Sequence, residues 1–244
     1  IFLHFLKVSG AAALSGEAIS GFHVDGKYYL TKSKEEVIYY QKRAQELLKN
    51  ASPLMDIYPE EKAAALQAFL VADSHLAGKR RNILSALPLY TMDEAFLEAF
   101  LSRRSIPAAD RRAILLYAAS QRRMQEEILK TGSVEDEFSL PDPAEFSQYP
   151  MRLALSGMFY SGVLPYTFDE YQDHLAQTRT FAAAHAGYTF TETFSCTFRN
   201  LQIQIHEGKW AMISKNTAPT IHFVIHHTKL RNAIENFIPP LVED

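Results

Sequence analysis

Residues Phe198 to Pro240, FRNLQIQIHEGKWAMISKNTAPTIHFVIHHTKLRNAIENFIPP, decide how this chain is read. In NLQIQIHEGKWAMISK the spacing predicts a hairpin turning at Glu207-Gly208, where glycine supplies the positive φ of a tight turn. Leu201, Ile203 and Ile205 fall on one face, and Gln202, Gln204 and His206 on the other. The strand from Thr220 to His226 divides the same way, with Ile221, Phe223 and Ile225 against His222, Val224 and His226. Lys229 to Phe237 then predicts a helix, closed by Pro239-Pro240. Its Leu230, Ala233, Ile234 and Phe237 would cover the Ile/Phe face of the sheet. The polar face is either wet surface or the lining of a site.

Bulk composition narrows the setting. A hydrophobic content of 47% and a charged content of 22% are those of a globular protein with a substantial core. A net charge of −3 gives no sign of a nucleic-acid-binding surface overall and leaves room for local basic patches. The single cysteine, Cys196, has no base among its neighbours and is read as a packed thiol in a reducing, cytoplasmic compartment. No apolar run approaches the ~20 residues of a membrane span. The opening IFLHFLKVSGAAAL lacks a basic n-region and is interrupted by Lys7, so a packed helix is expected there and not a signal peptide. A first residue of Ile suggests a piece of a longer protein.

Working outward from the closing unit, FHVDGKYYL predicts a hairpin at Asp25-Gly26, and Thr31 or Ser33 a cap for a helix over Lys34 to Asn50. Pro59-Glu60-Glu61 reads as a helix start, with the helix stopping at Gly78. Arg80 to Leu87 reads as a short helix ending before Pro88, and Thr91 as the cap of MDEAFLEAFLSRR with Glu94 at capping-box spacing. Pro107 opens the longest helix, ending at Gly132. The acidic, proline-containing GSVEDEFSLPDPAEFSQYP reads as a linker. Met151 to Leu155 fits either a short strand or a helix start. Thr167 caps a helix reaching Gly187, and a short strand follows around Tyr188 to Phe190. The expected class is therefore α+β: residues 1–132 helical with a short hairpin, 133–150 a linker or loop, and 151–244 a small sheet with covering helices.

Two runs, GKRRNILSALPLYTM (Gly78 to Met92) and FRNLQIQIHEGKWAMISKN…IHFVIHHTKLRNAIENF, resemble the region that follows the DNA-binding head in a family of bacterial Xre-type helix-turn-helix transcriptional regulators. The resemblance implies an effector-sensing or dimerisation region, with a small-molecule effector and a second copy of the chain as partners. No helix-turn-helix is visible here, so DNA would be reached only through a domain outside this sequence.

Candidate site residues follow from the polar face. Gln202, Gln204, His206, Trp210, His222 and His226 offer hydrogen bonds and a stacking surface to a small polar ligand. The three histidines lack metal-ligand spacing, so no metal and no cofactor is expected. Paired arginines recur at Arg80-Arg81, Arg103-Arg104, Arg111-Arg112 and Arg122-Arg123. Arg111 and Arg122 share a helical face that could hold phosphate, but nearby Asp110, Glu126 and Glu127 favour solvated helix charge. Asp169 and Glu170 sit in a first helical turn, where carboxylates favour the dipole without catalysis. With no glycine-rich phosphate loop, nucleophile elbow or metal-spaced His/Glu helix, the chain is read as a non-enzyme. The alternative reading is a helical protein-interaction scaffold without a small-molecule ligand.

Overall fold

The computed structural model describes residues 2–51, 53–155, 162–194, 200–215, 217 and 219–237. Among them are seven α-helices, a seven-stranded sheet and a three-stranded sheet, an α+β protein. Cys196 and Pro239-Pro240, read above as a packed thiol and a helix stop, lie outside the described residues. The chain divides into two compact units, Ile1–Pro53 and Leu54–Asp244.

The first unit holds β1 (Phe2–Val8), β2 (Ala13–Ile19), β3 (Phe22–Thr31) and α1 (Lys34–Lys49). The expected opening helix is instead a β1–β2 hairpin, with Val8 opposite Ala13. A short apolar run fits a strand as well as a helix, and the cross-strand partner decides. The turn between β2 and β3 sits at Ser20-Gly21, not at Asp25-Gly26. Glu17 pairs with Lys27 while Ile19 pairs with Phe22, so residues 23–26 form a bulge that absorbs the predicted turn. The helix over α1 agrees with its expected span, and it packs on β1 and β2.

The second unit is built on one sheet, in the order β4-β10-β9-β8-β5-β6-β7. Its strands are β4 (Met55–Pro59), β5 (Lys79–Leu84), β6 (Ser133–Ser139), β7 (Tyr188–Thr193), β8 (Leu201–His206), β9 (Trp210–Lys215) and β10 (Ile221–Ile225). β5, β6 and β7 run parallel, and the remaining neighbours are antiparallel. The helices are α2 (Ala63–Ser74), α3 (Glu94–Ser102), α4 (Ala108–Thr131), α5 (Pro143–Gln148), α6 (Phe168–Ala184) and α7 (Thr228–Glu235).

Several expectations are corrected at the level of single elements. Arg80 to Leu87 contributes strand β5, whose alternating burial puts Arg80, Asn82 and Leu84 inside. The supposed acidic linker contributes β6, with Val134, Asp136 and Phe138 buried and Glu135 and Glu137 on the other face. The sheet therefore runs across the boundaries expected at 132 and 150. Pro59 ends strand β4 and leads through a 3-10 turn, Glu60–Lys62, into α2. Thr91 lies in a second 3-10 turn, Leu89–Thr91, and the cap of α3 is Asp93, which accepts from the Ala95 and Phe96 amides. At Thr167 the full capping box forms with Glu170.

Side-chain parity sorts the layers. The main core joins Leu84 and Phe138 of the sheet to Leu97, Phe100, Ile114, Tyr171 and Leu175 of α3, α4 and α6. On the same face, Leu66, Phe69 and Leu70 of α2 cover Trp210, Met212, Val224 and Tyr58. The opposite face is closed by α7, where Ile234 and Phe237 pack on Ile83, Ile203, Ile205 and Ala211. Fully buried side chains of this size contribute roughly 1.5–3 kcal/mol each. Among the described residues no helix is long and apolar enough to cross a membrane.

Candidate functional site

Register places five of the six predicted site residues, Gln202, Gln204, His206, Trp210 and His222, on the sheet face that α2 partly covers. Gln202 stands opposite Ser214, Gln204 between Asn82 and Met212, and His206 between Arg80 and Trp210. His222 continues the first of these rows through Ser214 to Tyr58. His226, just past β10, stacks edge-on against Phe69 of α2 at 6.1 Å. The polar face is thus covered in part: α2 packs on Trp210, Met212, Val224 and Tyr58, His206 and His222 are buried, Gln202 and Gln204 are half-buried, and His226 is exposed.

The strongest contact in this layer is one that sequence reasoning missed. Asp73, near the end of α2, accepts from Trp210 Nε1 at 2.7 Å, His206 Nδ1 at 2.8 Å and Arg80 Nη2 at 2.9 Å. Arg80 also donates to the Asp73 and Leu76 carbonyls, at 2.7 and 3.0 Å, and so closes the C-terminal end of α2. Burial pushes the Asp73 carboxyl up, but the Trp210, Arg80 and His206 donors outweigh it and hold the group below its usual range. His206 is fully buried, and both of its ring nitrogens face oxygen acceptors, the second being the Ala77 carbonyl at 3.3 Å. Gly78 makes room for that ring. Its φ is +150°, and a Cβ there would lie 2.4 Å from His206 Nε2.

The three histidines do not converge. His206 belongs to Asp73, His222 Nδ1 lies 2.8 Å from Ser214 Oγ, and His226 Nε2 lies 3.1 Å from Asp56 Oδ2. Burial pushes His222 down to about 4, so its ring is neutral near pH 7. Its Nε2 has no partner among the described residues. Among those residues no three His, Cys, Asp or Glu side chains gather as metal ligands.

Two further buried networks flank this layer. Asp136, fully buried on β6, accepts from Asn82 Nδ2 at 2.6 Å, from Tyr188 OH at 2.8 Å and from Tyr90 OH. Here burial wins over the three donors, and the carboxyl is raised. His174 of α6 is fully buried between Tyr166 OH, 2.9 Å from Nδ1, and the Pro88 carbonyl, 3.2 Å from Nε2. Thr91 Oγ1 also lies 3.2 Å from Nε2; the tautomer with the proton on Nε2 satisfies the Pro88 carbonyl and leaves Nδ1 to accept from Tyr166. Burial pushes this histidine down to about 4, against a smaller opposing effect of the Pro88 carbonyl.

The arginine pairs divide between charge partners. Arg80 and Arg81 point to opposite sheet faces, Arg81 meeting Glu137 at 3.4 Å. Arg103 and Arg104 both reach Glu170, Arg104 at 2.7 Å. Glu170 is therefore part of an ion-pair cluster as well as a capping box. Arg122 spends its guanidinium on the Met92 carbonyl.

The site is thus a partly helix-covered polar face of a mixed sheet in an α+β protein, with its ionisable groups tied largely to one another. No protein-family model, curated protein or solved structure matches this chain.

Proposed function

We propose that the chain is the effector-sensing region of a bacterial transcriptional regulator, cytoplasmic and dimeric, with DNA contacted only through a domain outside this sequence. It senses without catalysing. One observation carries the reading: a single carboxylate, Asp73, ties the covering helix α2 to the hairpin through His206 and Trp210 and to β5 through Arg80. A buried tie of this kind has two arrangements, made and broken, and a ligand that prefers one shifts the population between them. The quoted runs that resemble the Xre-type regulators contain Arg80, His206 and Trp210, which are members of this tie.

The test uses the chain's only tryptophan, which sits in the tie. A metabolite screen should yield a compound that raises the melting temperature and shifts Trp210 emission. Ligand at about 100 times its dissociation constant adds roughly 2.7 kcal/mol of stability. Trp210→Phe, which keeps a ring but removes the N–H, should blunt the response while the protein stays folded. A screen with no stabilising compound sinks the sensing reading.

The interaction-scaffold reading has one observation in its favour. On β3, Phe22, Val24 and Leu30 are 64%, 97% and 61% exposed, a poor use of apolar side chains in an isolated surface strand. Sedimentation of the whole chain would then show association that Val24→Lys with Leu30→Lys abolishes.

A further inference from the structure

Six uncharged side-chain groups are buried with no partner among the described residues: Ser139 Oγ, Tyr171 OH, and four that bear on the helix-covered sheet face, His222 Nε2, Thr220 Oγ1, Gln121 Nε2 and Gln125 Nε2. Thr220 and His222 are only 3% and 4% exposed. They stand two residues apart with the same parity, so both point to the helix-covered face. Across β9 and β8, His222 continues into Ser214 and Gln202. Gln121 and Gln125 extend the stripe of α4 that carries Ile114 and Ala118, because these positions repeat at helical spacing. That stripe packs in the core with Leu84 and Phe138, on this same face of the sheet.

A buried polar group without a partner costs about 1–3 kcal/mol, so a cluster of them implies partners that the chain does not supply. Their chemistry is also selective. On this face Arg80 is matched by Asp73, and His206 and His226 each hydrogen-bond a carboxylate oxygen, of Asp73 and Asp56. The Asp136 carboxyl is enclosed by neutral donors. Arg80 leaves Nη1 unpaired, yet its charge is already answered by Asp73. The unsatisfied groups on the His222 side are an imidazole and a hydroxyl, and those on α4 are amides.

We propose that the Gln202–Ser214–His222 row, with Thr220 beside it, is the floor of a binding site for an uncharged small molecule rich in hydroxyl or carbonyl groups. Sugars, polyols and nucleosides belong to that class; phosphorylated and carboxylated metabolites do not. The assignment rests on the sensing reading and specifies its ligand. An uncharged ligand brings no charge to bury, whereas a phosphate here would meet no unmatched cation and would have to shed its hydration without return. Burial that keeps His222 neutral serves the same selectivity, since a neutral ring both donates and accepts.

The experiment is a set of matched pairs on the whole chain: glucose, myo-inositol, adenosine and uridine against glucose 6-phosphate, inositol phosphate, AMP and UMP. Melting temperature, Trp210 emission and the ring 15N resonances of the histidines are read for each. At least one neutral probe should bind, its phosphorylated counterpart at least tenfold more weakly, with the His222 resonances moving. Thr220→Val, nearly isosteric, should weaken that binding about tenfold, and His222→Asn more. If phosphorylated probes bind equally well, or neutral ones bind both variants like the parent, the site assignment is overturned while sensing survives. If none of the probes binds, the buried groups are satisfied by water and the assignment fails. A hit elsewhere in the wider metabolite screen would then still support sensing.

Discussion

Two carboxylates, Asp73 and Asp136, are buried against the same sheet face, and their acidities move in opposite directions. Each accepts from three side-chain donors. The difference lies in how completely each is buried and in what the donors carry. Around Asp73 a guanidinium and an imidazole supplement an indole, so the charged form is favoured despite burial. Around Asp136 the donors are two phenols and an amide, and neutral dipoles do not repay the lost hydration of a fully buried carboxylate. The pair teaches that counting hydrogen bonds does not predict the state of a buried acid; the depth of burial and the charge of the donors both enter.

The harshest way to break the comparison is Asp73→Ala. It leaves the Arg80 guanidinium buried without its counter-charge, and removing one partner of a buried pair costs about 3–5 kcal/mol. Denaturant unfolding followed by Trp210 emission measures it, and a loss below about 1 kcal/mol would mean that Asp73 does not hold α2 down.

His174 supplies a third buried network, again with neutral donors, and sharpens the contrast through pH. Its folded value is pushed down to about 4, while an unfolded histidine sits near 6.5. Between those values the unfolded chain binds the extra proton, so stability falls as pH drops from about 6.5 to about 4, by roughly 3 kcal/mol in total. His222 adds a loss of the same sign in the same window. A His174→Asn variant should show a shallower stability-versus-pH slope there. An unchanged slope would remove His174 from the account.

Gly78→Ala attacks the charged network alone. The added methyl meets His206 Nε2 at a left-handed backbone position, and such strain costs about 1–3 kcal/mol. Trp210 emission should shift in this variant, with the Asp136 cluster untouched.

The smallest effect is expected from Asp136→Asn, about 1–2 kcal/mol, because phenols can turn to accept where they formerly donated. Its pH signature is the more telling part. Asp136 is raised on folding, so its contribution is present below about pH 3.9 and lost as pH rises through the folded value. Asp73 is lowered, so its contribution is present above about pH 3.9 and lost as pH falls through the folded value. Asn at each position should flatten acid-side stability curves of opposite slope. Curves of the same slope would contradict the comparison.

Much of the closing unit was legible in the residues. Strict alternation with a glycine turn marked β8 and β9, and Gly208 indeed has φ +73°. The same alternation put Gln202, Gln204 and His206 on one face, and α7 covers the other as its apolar stripe requires. Helices with strong local signals, α1, α4 and the capped α6, also agree with their predicted spans. These features depend on neighbours a few residues away, and periodicity and capping report on such neighbours.

Strands β5 and β6 were illegible for a physical reason. KRRNIL and SVEDEFS carry Arg80 and Asp136 at interior positions, and burying either charge alone would be prohibitive. What makes them interior is Asp73, seven residues before Arg80, and a cage for Asp136 drawn from Asn82, Tyr90 and Tyr188. By itself, the sequence determined the hairpin, the long helices and the polarity of the faces of β8 and β10, because local spacing sets them. Which face is inside, and that a buried acid can stay charged there, only the tertiary structure decided, since apart from Asp73 and Arg80 the partners lie far apart in the chain.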